Sequence, residues 1–268
     1  MADTVLGGEL VAAFRTQLER IRKTAHRTVV GVWSGLGSWN DTDIDRFLAA
    51  ILPTIGTLTA QATQLTDAYL AAYLQTETGI PTQPTGIEPR ATRPTPPEEV
   101  YRRPFIRTWA ALTAGVAYST AVARNGKYAG SLAGTDVQLA ARDTANRVIS
   151  TTPRVVGYRR VLGAGVNCGL CIVASTQRYG RDDLMPIHPN CGCTVEPIIG
   201  QTAPPKVLDK GRVDLIKSQL RSEDLPYTRQ AMSRLRIDVD ELPTVEIIDH
   251  PELGPTLWNQ AHDFAKVA

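Results

Sequence analysis

Cys168-Gly-Leu-Cys171, sixteen further residues, then His188-Pro-Asn-Cys191-Gly-Cys193: this window holds all four cysteines of the chain and one of its four histidines. Two clusters of ligand-type side chains separated by a short excursion are what a small tetrahedral metal site needs. Each tight turn supplies soft donors, and the intervening chain, long enough for a short helix and a loop, folds back to join them. A C-x2-C turn lets Cys168 and Cys171 point at one ion, and His188 and Cys191, three apart, can do likewise. Cys193 competes for the same place, because on an extended strand Cys191 and Cys193 face one side. Five candidates therefore stand for four positions, and one structural zinc ion in a Cys3His site is the sharpest reading. Two disulfides between the C-x2-C turn and the C-x-C strand would staple the same loop; reduced, buried thiols are the third reading. No thioredoxin-like βαβ pattern surrounds the window, which argues against a redox pair. Four crowded thiols argue against a single cysteine nucleophile activated by His188.

Working outward, residues 155–162 read as a strand entering the window and residues 194–199 as a strand leaving it. Upstream the pattern is helical. Leu10, Phe14, Leu18, Ile21 and Ala25 recur at three- and four-residue steps, with Arg15, Glu19, Arg22 and Lys23 largely off that stripe. Gly35 and Gly37 end this helix. Asp41-Thr-Asp43 caps a second, striped by Ile44, Phe47, Leu48, Ile51, Ile55 and Leu58, with a kink expected at Pro53. Two long helices joined by a short turn form an antiparallel hairpin. Residues 80–97 carry six prolines, which remove backbone donors and fix φ, so this segment is an extended linker or strap. A third helix opens at Pro97-Glu98-Glu99 and is expected to reach about Arg124, with a turn at Asn125-Gly126 and a fourth helix over 136–150. Trp33, Trp39 and Trp109 read as core anchors, and Tyr118 and Tyr128 as helix packing. Beyond Gly200 the expectations are surface helices over 208–220 and 226–235, a short strand over 245–248 and a terminal helix over 257–264.

The fold class is thus α+β and predominantly helical. Residues 1–79 form a helical region, 80–97 the strap, 98–200 a helical pair plus the Cys/His module, and 201–268 an irregular tail with short helices. Composition is that of a globular protein, 43% hydrophobic and 21% charged with net charge +2, which argues against broad gripping of nucleic acid. Only six of the 29 basic residues are lysine, a bias that fits a GC-rich genome. No stretch of 18 apolar residues exists, so no membrane span is expected. Met1-Ala-Asp-Thr does not open a secretory signal, and cysteines confined to one window suit synthesis in a reducing cytosol.

Tyr158-Arg-Arg-Val161, a glycine-containing turn, Cys168-x2-Cys171, Ala174-Ser175, Tyr179-Gly180 and His188-Pro-Asn-Cys191-Gly-Cys193-Thr194 running into Val195-Glu-Pro197 follow one another in an order that resembles the phage Mu F-like head morphogenesis family. That family has an arginine or aspartate between the last two cysteines, where this chain has Gly192. The stretch Glu252-Leu-Gly-Pro255 after His250 is similar to the tail of actinobacteriophage members. The resemblance covers about residues 155–199. It implies a minor capsid protein of a tailed phage, bound to the portal protein or inner shell and to other capsid or scaffold proteins. Phage DNA is a further contact it allows. Such a protein acts in head assembly and in DNA packaging or delivery; it resides in the virion, at the capsid interior or portal vertex, after assembly in the host cytoplasm. Similar proteins are also described as capsid maturation proteases, the rival reading.

Residue chemistry offers the protease little. No G-x-S-x-G elbow and no H-E-x-x-H occur, and a closed four-ligand zinc lacks the open position that hydrolysis requires. A three-ligand zinc with a water would be hydrolytic with Glu196 as base. His26 reads as a surface residue, and His250 and His262 sit in the tail beside Asp249 and Asp263. The catalytic residues are therefore unassigned. Arg102, Arg103 and Arg107 read as a solvated face, whereas Arg154, Arg159 and Arg160, beside the window, are the first choice for a partner contact.

Overall fold

The computed structural model describes residues 5–163, 167, 169–181, 185, 191–200 and 246–258. Helices α1 (Val5–Ser34) and α2 (Asp41–Thr78) form the expected hairpin. Asn40 caps α2 by accepting the Asp43 amide, while the Asp43 carboxylate accepts the Ser38 and Trp39 amides at 2.7 Å each. These bonds hold Trp39 at φ 56°, a left-handed conformation rare outside glycine. α2 is continuous across Pro53 and ends where Gly79, at φ 70°, returns its N–H to the Gln75 carbonyl.

The second helical pair departs from expectation. α3 (Pro97–Thr113) stops eleven residues early, at a turn containing Gly115 at φ 79°, and α4 (Tyr118–Thr151) runs unbroken through Asn125 and Gly126. Asn125 is buried and donates its side-chain amide to the Ala121 carbonyl, so it completes a helical turn instead of leaving one. Gly126 is a packing residue: a Cβ there would lie 2.5 Å from Cδ1 of Trp33. Gly130 meets α1 the same way, against His26 and Val30. Small residues let α1 and α4 approach closely, as the Ala/Gly content implies.

At the centre, the Trp33 ring lies 4.6 Å from Trp39, 4.8 Å from Phe105 and 5.6 Å from Phe47. Removing a ring such as Phe47 from water contributes about 2–3 kcal/mol. Every apolar residue predicted for the α2 stripe from Ile44 to Leu58 is buried. Trp109 and Tyr118 are not core: they remain 37% and 54% exposed. The proline-rich segment is a pinned strap. Buried Asp67 accepts the Thr85 and Gly86 amides at 3.0 and 2.8 Å, Arg90 pairs with Asp143, and Arg93 pairs with Asp136.

After α4 come β1 (Val155–Val161), α5 (Gly169–Ala174), β2 (Arg178–Gly180) and β3 (Thr194–Ile199). They build an antiparallel sheet in the order β2-β1-β3. β2 is too short to show a periodic signal and was not foreseen. β4 (Glu246–His250) and β5 (Gly254–Trp258) form a separate hairpin, so residues 257 and 258 are strand and not the start of a helix. The predicted helices over 208–220 and 226–235 lie outside the described residues.

The sheet is wired into the helices. Arg22 of α1 donates to the Cys191 carbonyl, Gln138 of α4 to that of Cys193 and Tyr69 of α2 to that of Val195. Every second carbonyl of the segment entering β3 is thus taken by a different helix, which satisfies groups that an edge would leave open. One hydrophobic cluster runs from Val11 of α1 to Leu253 between β4 and β5.

Candidate metal centre

Two elements deliver the thiols. α5 carries Cys171, and the extended approach to β3 carries Cys191 and Cys193, two residues apart and therefore facing one side. All three are buried, with their Sγ atoms within 4.8 Å of one another. The Cys171 and Cys191 sulfurs are 3.7 Å apart. Sulfurs bound at ~2.3 Å to one tetrahedral zinc stand about 3.8 Å from each other, so the spacing suits a shared ion. Cys168 and His188, the other predicted ligands, lie outside the described residues.

Arg160 completes the centre from below. On β1, Tyr158 and Arg160 face the thiols' side of the sheet while Arg159 faces away. Arg160 is fully buried, with Nη1 3.4 Å from the Cys191 sulfur and 3.9 Å from that of Cys171. Burial acts to lower its pKa, but the surrounding Cys193, Cys191 and Cys171 thiols outweigh it and hold the guanidinium charged. A fixed cation among thiols favours their thiolate forms and offsets the negative charge that three thiolates bring to a dication. The donor set therefore fits a soft metal ion. At Cys193 the hydrogen bond with Cys171 acts to lower the pKa, yet the contact with Cys191 and burial push it up to about 12. Binding a metal must displace such protons.

Gly192 is a close-packed position. A Cβ at Gly192 would sit 3.0 Å from Nη1 of Arg22, the same group that holds the Cys191 carbonyl. Gly163 likewise packs against the Gly192 backbone, where a Cβ would lie 2.8 Å from the carbonyl oxygen. Arg22 and Gln138 were invisible as site residues, because their sequence separation from the window carries no motif.

The arginines expected to meet a partner divide three ways. Arg154 is exposed at the start of the sheet. Arg159 forks onto Glu196 at 2.8 and 2.6 Å, with the Tyr73 hydroxyl 3.2 Å from the same carboxylate. Arg160 has no surface to offer, which corrects its assignment. Two adjacent arginines on a half-buried strand must point to opposite faces, a signal the sequence did carry. Glu196 shares the face of Arg159, so it is turned away from the thiols and is not placed to act as a base there. His250 is buried, and its Nδ1 accepts the Glu252 and Leu253 amides at 3.1 and 3.3 Å, closing the turn between β4 and β5.

This helical body with a small sheet and a buried thiol centre matches the VG15 protein family over residues 8–212, well over half of the chain, and the chain belongs to that family. VG15 is a viral gene family, which points to a phage protein. No curated protein and no solved structure matches the chain. Among the described residues, no helix is long and apolar enough to cross a membrane.

Proposed function

We propose that the chain is a structural minor head protein of a tailed phage, akin to the Mu F-like proteins, that docks on the portal or inner shell. In this reading Cys171, Cys191 and Cys193 hold one zinc ion together with His188 or Cys168. The ion supplies a cross-link and no chemistry. A module with few core residues gains stability from such a link, since a metal that binds only the folded chain adds its binding energy to folding. The observation that carries the proposal is the convergence of three buried thiols, two of them on a segment whose carbonyls are held by three helices. That is the architecture of a rigid knob. Membership of a viral family supports the setting.

The test is elemental analysis of the purified chain together with head assembly by phage carrying Cys171→Ser. The expected result is one zinc per chain, lost in the variant, with reduced incorporation into heads. Metal-free protein would remove the zinc, and normal head yield from the variant would remove the structural role. Co-expression with the major capsid protein tests the rival: processing abolished by a single serine or histidine substitution would establish a protease.

A further inference from the structure

Burying an arginine is costly, because the guanidinium keeps its charge wherever it is placed. Arg160 is nonetheless 0% exposed, and its Nη1 is turned to two sulfurs, 3.4 Å from that of Cys191 and 3.9 Å from that of Cys171. A cation in that position favours whichever state of the sulfurs carries negative charge. Neutral thiols carry none, and neither does a disulfide. Thiolates gathered on a metal ion do.

The neighbouring arginines answer first to carboxylates. Arg22, which holds the Cys191 carbonyl, lies 3.6 Å from Glu19. Arg159, on the opposite face of β1, forks onto Glu196. Arg142 of α4 is acted on by Asp143 before any thiol. Arg160 differs: the charges that act on it are those of Cys193, Cys191 and Cys171, ahead of Tyr179. Among the described residues no carboxylate or imidazole joins the three-thiol group.

Charge arithmetic then limits what the centre can hold. Three thiolates on a dication leave one negative charge, which Arg160 cancels. A fourth thiolate, or a monocation in place of the dication, leaves a net charge buried in a low-dielectric interior, where it is costly.

We infer that Arg160 is the counter-charge of the metal centre and fixes it as a dication held by three thiolates and one neutral donor. It is a positioning residue, since it touches the ligands and not the ion. The inference rests on the zinc reading and goes further: it sets Cys168 aside as a ligand and leaves the fourth place to an uncharged group, such as the His188 imidazole.

The experiment loads the purified full chain with Co2+, whose sulfur-to-metal charge-transfer absorbance counts the bound thiolates. Zn2+ affinity is measured beside it by competition with a chromophoric chelator. The expected native spectrum is that of three sulfurs, and Cys168→Ser should leave it unchanged. Arg160→Met should weaken zinc binding about 10–100-fold, the usual loss when a group supporting metal ligands is removed. Arg160→Lys keeps the charge and should recover most of that loss. Arg159→Met removes the same charge from the opposite face and should bind zinc like the native chain. A four-sulfur spectrum that drops to three in Cys168→Ser overturns the inference while leaving the metal site standing. So does native affinity in Arg160→Met, or an equal loss in the Met and Lys variants, which would make packing and not charge responsible. If Arg160→Met does not fold, the cobalt spectra of the native chain and of Cys168→Ser decide alone. A native chain that takes up neither ion removes the metal reading itself, and this inference with it.

Discussion

At the scale of single residues, glycines and arginines decide this protein more than its apolar side chains do. Asn125-Gly126 has the sequence of a turn, but the Asn amide closes a helical turn and the Gly admits the Trp33 ring. Local chemistry could not distinguish a glycine needed for backbone freedom from one needed for closeness, since both lack the same atom. Gly126→Ala tests the difference. Its Cβ would meet Cδ1 of Trp33 at 2.5 Å, and the ring cannot yield because its Nε1 donates to the Val122 carbonyl at 3.0 Å. The variant should lose about 1–3 kcal/mol by overpacking, seen as a lower urea midpoint at unchanged slope. A helical turn broken by Asn-Gly would instead have gained from alanine.

Among the elements, the approach to β3 and the β4–β5 hairpin are held by side chains from far away in sequence. Tyr69→Phe removes the donor to the Val195 carbonyl without changing shape, and should cost about 1–2 kcal/mol because the carbonyl stays buried. Gln138→Leu should do the same at Cys193. With both changes the two costs should add, read as a further fall in the urea midpoint. The hairpin depends on charge. The hydrogen bond from Arg103 outweighs burial and, with Arg93, holds the Glu252 carboxyl below its ordinary 4.5. A folded-state pKa below the unfolded one stabilises fully above about 4.5 and is lost as pH falls through the lowered value. Protection of residues 246–258 against hydrogen exchange, taken relative to the free-peptide rate at each pH, should therefore fall on acidification below that point. Glu252→Gln should exchange faster already at neutral pH, and its exchange should lose this acid-dependent step.

For the whole molecule, the helical hairpin, the strap and the two strands around the cysteines were legible because each rests on a period or a composition that short stretches contain. The partners of those stretches were not, since Arg22, Tyr69 and Gln138 lie 169, 126 and 55 residues from the carbonyls they hold. Nothing in a motif records a bond across such distances. That same remoteness orders events in time. A segment whose carbonyls wait for α1, α2 and α4 cannot settle until all three have emerged and packed, and contacts of long sequence separation form late. The thiol knob is thus a check on packing, because the helices that hold it all precede it in the chain. Only a chain whose helical body has assembled can close it.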